Sequence, residues 1–131
     1  MKILIIFLLL TISKPLFALE FVSGSYLGKL IYPDESEYIM ESDFNIDVNN
    51  NVWGNYRYIY EGKFYEGVFY KGKFYEDGFL DIYWSDHFGE GWLTIEFDKS
   101  LKNFTGIWGV VKNESRSESI AGTWSGKRKI T

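Results

Sequence analysis

The chain has 131 residues, no cysteine, and a formal net charge of −4 at pH 7. An acidic balance of this kind argues against a nucleic-acid partner and a strongly anionic membrane surface, and only Lys127, Arg128 and Lys129 are locally basic. Without cysteine there are no disulfides, no lipidated N-terminal cysteine and no thiol nucleophile, so the fold must be held by its core alone. Five Trp, ten Tyr and eleven Phe supply the material, at roughly 1.5 to 3 kcal/mol for each fully buried ring.

In chain order, Met1 and Lys2 precede an apolar run from Ile3 to Ile12 and a short exit region from Ser13 to Ala18. This is the pattern of a secretory signal peptide, too short for a membrane span, with cleavage expected after Ala18. Export without disulfides leans toward a bacterial periplasm or exterior. Leu19 to Thr131 then reads as a single domain. The Asn103-Phe-Thr105 and Asn113-Glu-Ser115 triplets match glycosylation acceptors, which matter only in a eukaryotic secretory pathway.

Phe21 to Tyr32 reads as a first strand, closed by the turn residues Pro33 to Ser36. Tyr38 to Glu41 is a short apolar patch. From Asp43 to Asn49, Phe44, Ile46 and Val48 alternate with Asp43, Asn45, Asp47 and Asn49, which predicts a strand with one wet face. Asn49 to Asn51 marks a turn, because Asn tolerates the left-handed conformation. In Val52 to Tyr60, Trp53, Asn55, Arg57 and Ile59 alternate with Gly54, Tyr56, Tyr58 and Tyr60. Parity with Trp53 and Ile59 points Arg57 inward, where it would favour an anionic head group.

Gly62-Lys-Phe-Tyr-Glu, Gly67-Val-Phe-Tyr-Lys and Gly72-Lys-Phe-Tyr-Glu form a five-residue repeat. Its period matches neither strand nor helix and predicts two strands joined near Lys71-Gly72, with glycines allowing bulges. Phe79 to Trp84 is a further strand, and Ser85 to Glu90 a loop. Gly91 to Asp98, Phe104 to Val111 and Ser119 to Arg128 alternate at period two between polar breaks, as three consecutive antiparallel strands would. Eight or nine strands, no helix after the signal, and links short enough for hairpins predict an all-β up-and-down meander closing into a small barrel. Mid-strand Gly54, Gly67, Gly106 and Gly122 suit a tightly curved sheet with rings opposite them.

Phe104-Thr105-Gly106-Ile107-Trp108, Gly122-Thr123-Trp124-Ser125-Gly126 and Ser23-Gly24-Ser25-Tyr26 together resemble avidin-like and lipocalin-like (calycin-type) barrels. They are most similar to small exported bacterial proteins that end in a Gly-x-Trp-x-Gly-x-Arg strand. The resemblance implies that Trp108 and Trp124 line a pocket and that Arg128 closes one end. Tyr26 stands where a lipocalin has Trp, and the polar biotin-binding set of avidins has no match, so biotin is not implied. With Tyr26, Tyr56 and Arg57, these two tryptophans make the candidate ligand-binding set. A likeness to MORN repeats at Tyr60 to Phe64 fails, because those repeats have a far longer period.

No catalytic signature is present: no nucleophile elbow, zinc-protease helix motif, phosphate loop or thiol. His87, between Asp86 and Phe88, reads as an exposed loop residue. Asp43 to Asn49 begins like a calcium loop but lacks its glycine and closing glutamate, and its polar residues are explained by the wet strand face. Glu66, Asp81 and Glu96 would make a glycosidase-like pair only if two faced inward; outward positions are the expectation. The tyrosines and phenylalanines from Tyr56 to Tyr75 are too dense for all to be buried, so some must lie outside as a contact surface.

The expectation is therefore an exported, non-enzymatic protein without a cofactor or metal, holding a small apolar or amphipathic ligand in an aromatic-lined barrel. The alternative is a protein-interaction module, inhibitor or adhesin-like, with a packed barrel and an aromatic outer patch. A cavity discriminates between them. An outer-membrane barrel is disfavoured by the polar strand faces, and no transmembrane segment is expected after signal removal.

Overall fold

The computed structural model describes residues 22–129; the signal peptide and its cleavage at Ala18 lie outside the described residues. Nine antiparallel strands run β1 Gly24–Ile31, β2 Glu37–Ile46, β3 Asn51–Tyr60, β4 Lys63–Phe74, β5 Phe79–Asp86, β6 Gly89–Phe97, β7 Asn103–Lys112, β8 Ser115–Arg116 and β9 Gly122–Arg128. Each long strand pairs with the next in sequence through a short turn, β7 pairs with β9, and β9 returns to β1. The result is a closed eight-stranded barrel, with β8 as a two-residue flap on β7. Closure leaves no long unpaired edge.

Period two sends one face of every strand into the barrel. Tyr26 and Leu30, Met40 and Phe44, Leu80 and Ile82, Leu93 and Ile95, and Phe104 and Trp108 are buried there. Ser42 is the one buried polar side chain among the described residues. Mid-barrel, Phe44 stacks on Phe69 at 4.9 Å, and Tyr56 meets Trp124 edge-on at 5.0 Å. Gly67 lies directly opposite Tyr56: a Cβ there would come 2.1 Å from the tyrosine Cζ. The missing side chain is what admits the ring.

Three local expectations are corrected. The strand at Asp43 ends at Ile46 and reaches back through Tyr38 to Glu37, so Val48 is an exposed turn residue instead of a core one. The Asp47 carboxylate ends the strand by accepting the Asn49 and Asn51 backbone N–H groups at 2.9 and 3.0 Å. This local Asx capping competes with continued pairing.

The five-residue repeat is not a hairpin at Lys71-Gly72. It is one strand, β4, interrupted by a bulge at Lys71, which has φ of 52°, while the pairing with β5 steps by three residues on β4 and two on β5. One extra residue between two period-two steps makes a period of five. Phe69 and Phe74 therefore both point inward, as do Gly67 and Gly72. No bulge separates the first unit from the second, so Phe64 faces out and is 76% exposed.

The third correction is the face of β3. Its inward set is Val52, Tyr56 and Tyr58, while Trp53 and Ile59 are exposed. Arg57 accordingly lies on the outer wall, ion-paired with Glu41 and, at 3.0 Å, with Asp43.

Candidate functional site

The barrel has a sealed floor and an open mouth. At the floor the Tyr26 ring packs edge-on against Phe104 and Phe97 at 5.4 and 5.7 Å. Its hydroxyl sits between the carbonyl oxygens of Val22 and Leu101 at 3.0 and 3.2 Å. Arg128 lies over this ring, its guanidinium carbon 6.0 Å from the centroid, an arrangement suited to cation–π attraction. Burial pushes the Tyr26 phenol up to about 12.

The mouth is formed by the ends of β1, β2 and β3, the Tyr32 to Ser36 turn, and the tight β5–β6 turn carrying His87 and Phe88. A cavity of about 270 Å³ opens there, lined by Tyr32, Asp34, Ser36, Tyr38, Tyr58, Tyr60 and Phe88. The rings brace one another at varied inclinations. Tyr32 meets Tyr38 at 5.5 Å and 88°, Tyr38 meets Tyr60 at 5.3 Å and 51°, and Tyr60 meets Phe88 at 5.7 Å and 72°.

Asp86, at the end of β5, ties the mouth to the core. Its Oδ2 accepts the Tyr56 hydroxyl at 2.8 Å and the Tyr58 hydroxyl at 3.3 Å, and its Oδ1 accepts the Phe88 backbone N–H at 2.8 Å. Burial, reinforced by the Asp86 charge, raises both phenols well above their ordinary value. At the lip, Asp34 accepts the Ser36 backbone N–H and hydroxyl at 3.0 and 2.6 Å, which holds its carboxyl below the usual range and keeps it ionised. The cleft is walled by tyrosine, open to water, and negative.

None of the five sequence-expected ligand residues lines this cleft. Tyr26 belongs to the floor and Arg57 to the outer wall. Tyr56 and Trp124 pack together in mid-barrel, where the Trp124 indole N–H donates to Ser42 Oγ at 3.0 Å. Trp108 comes nearest. It stands edge-on behind Tyr32 at 5.2 Å, and its indole N–H has no hydrogen-bond partner among the described residues. Period two counted from Tyr56 puts Tyr58 and Tyr60 on the same face of β3, but the other cleft residues come from the β1–β2 turn with the start of β2 and from the β5–β6 turn.

The outer wall adds two features. Trp92 faces outward yet is buried beneath the β8 flap: Arg116 lies 4.7 Å over its ring, and its indole N–H donates to the Ser117 carbonyl at 3.2 Å. Nearer the mouth, Ile59 pairs with Phe64 across β3 and β4, and Ile39 is one step beyond the Met40–Tyr58 pair. These three make an exposed apolar row. Among the described residues no group of His, Cys, Asp or Glu could hold a metal ion, and no helix is long and apolar enough to cross a membrane. No protein-family model, curated protein or solved structure matches the chain.

Proposed function

We propose that this is an exported, non-catalytic binding protein of calycin type that receives a small ligand at the mouth of its barrel, above a packed interior. The observation that carries this reading is the tyrosine cleft. Its rings are braced in fixed orientations, and the Asp86 hydrogen bonds to Tyr58 and the Phe88 backbone hold its base in place. Pre-ordered apolar walls with a few placed polar groups are what small-ligand sites require. The calycin assignment is supported by the closed eight-stranded meander and by Arg128 across an aromatic ring at the sealed end. Export is supported by the Met1 to Ala18 pattern.

A water-facing barrel is favoured over an outer-membrane one by the distribution of polarity. Most aromatic rings turn inward, and the wall, although Trp53 and Phe64 lie on it, carries the Lys29–Glu37 pair and the Arg57–Glu41–Asp43 cluster. Membrane barrels reverse this pattern.

Native mass spectrometry of the protein from its own exported fraction tests the reading. An excess mass is expected that disappears on denaturation and is absent from a Tyr60→Ala, Phe88→Ala double variant. Its absence from the wild type, or its retention by the variant, sinks the mouth site.

The second reading, a protein-interaction module, is favoured by the Ile39, Ile59 and Phe64 row beside the mouth. Contiguous exposed apolar side chains of this kind mark contact surfaces. Under this reading a partner co-purifies with the wild type and is lost from a triple serine variant of the row, with the cleft intact.

A further inference from the structure

We infer that the mouth cleft selects an organic cation, a quaternary or methylated ammonium group of small size. This inference rests on the mouth-site reading above and names the chemistry of its ligand. Three independent features converge on it. First, four tyrosines and Phe88 wall the cleft, with neighbouring rings inclined between 51° and 88° to one another, so no single flat surface is offered. Rings set around a point in this way surround a rounded group better than they stack on a planar one, and the negative face of each ring attracts a cation.

Second, the charge of the site is of one sign. Asp34 stands in the lining, held ionised by Ser36, and Asp86 lies one tyrosine hydroxyl below it. Neither Lys nor Arg is among the lining residues. An anionic ligand would meet the Asp34 carboxylate and no cationic side chain there, with only neutral hydroxyls as donors, whereas a cation gains from the carboxylate and from the ring faces.

Third, the size and polarity fit. The cavity of about 270 Å³ falls just below the range of drug-sized pockets, roughly 300 to 1,000 Å³. It accommodates a trimethylammonium head and not a large amphiphile. Such a head carries no N–H donors, so it loses little when tyrosine faces replace its water. A primary ammonium is more strongly hydrated and gives up more of that hydration on entering.

The experiment titrates the full chain with choline and, in parallel, with its uncharged analogue in which a tert-butyl group replaces the trimethylammonium. Two-dimensional NMR locates the perturbed residues and gives both affinities at low ionic strength. Choline is expected to bind at least about ten-fold more tightly than the neutral isostere. The shifts should centre on Tyr38, Tyr60 and Phe88, and added salt should reduce the preference. Asp34→Asn, which alters an exposed side chain at the lip and leaves the fold intact, should lower the preference several-fold. Equal binding of the two probes in the cleft overturns the cation inference and leaves the mouth site standing. Shifts by neither probe, or shifts elsewhere on the barrel, also overturn it. The mouth site then stands or falls on the mass measurement.

Discussion

Trp124 on β9 and Ser42 on β2 meet inside the barrel although β1 lies between their strands: the indole N–H donates to Ser42 Oγ at 3.0 Å. This bond satisfies the buried donor of a tryptophan that also touches Tyr56 and Phe69. Ser42→Ala leaves the indole N–H unsatisfied in the core and should cost about 1 to 3 kcal/mol. Trp124→Ala also opens a cavity and should cost about 3 to 5 kcal/mol. Urea unfolding measures both, with the midpoint falling and the slope unchanged.

Gly67 and Tyr56 are coupled by space. Gly67→Ala places a methyl 2.1 Å from Tyr56 Cζ and should destabilise by about 1 to 3 kcal/mol, the usual cost of overpacking. Tyr56→Leu in the same chain removes the ring, so the double variant should be more stable than the sum of the singles predicts. A double-mutant cycle reads the coupling. Additive losses would mean that the ring does not meet the new methyl.

Buried phenols make the protein sensitive to base. Tyr26, Tyr56 and Tyr58 all have their ionisation raised, first by burial. Below the ordinary phenol value of 10.0, folded and unfolded chains both hold these protons and stability does not depend on them. Above it the unfolded chain releases protons that the folded chain keeps. Stability therefore falls as pH rises from 10.0 through the folded value, about 12 for Tyr26. Tyrosinate absorbance should rise in two stages: exposed tyrosines first and reversibly, then the buried set together with loss of strand circular dichroism.

Lys71 supports the bulge in a conformation that a side chain resists, with φ of 52°. Lys71→Gly should stabilise by up to about 1 kcal/mol. Deleting Lys71 matches the steps of β4 and β5 and keeps Phe74 facing the core, so only the local bend of the bulge is lost; the protein should still fold, with a melting temperature below that of the glycine variant. Calorimetry separates the two outcomes.

Arg57 bridges Glu41 and Asp43 on the half-exposed wall. Arg57→Ala should cost only about 0.2 to 1 kcal/mol, the range of surface ion pairs, and that cost should shrink in high salt. Ligand affinity at the mouth should not change. A large loss of affinity would place the binding site on the outer wall.

The sequence by itself determined the class of the fold, because alternation at period two and the turn residues between segments are local properties. Gly91 to Asp98, Phe104 to Val111 and Ser119 to Arg128 were legible as strands, and they form β6, β7 and β9. Only the tertiary structure decided which face of β3 looks inward. Trp53 and Ile59 on one side and Tyr56 and Tyr58 on the other are equally able to fill a core. Closure chose the tyrosines by setting Gly67 opposite Tyr56 and Asp86 within reach of both hydroxyls. The period-five repeat hid its bulge for a related reason: a single left-handed residue reverses facing without altering composition. The cleft lay beyond local reading altogether, since its walls come from turns far apart in the chain that share one end of the barrel only once the last strand pairs with the first.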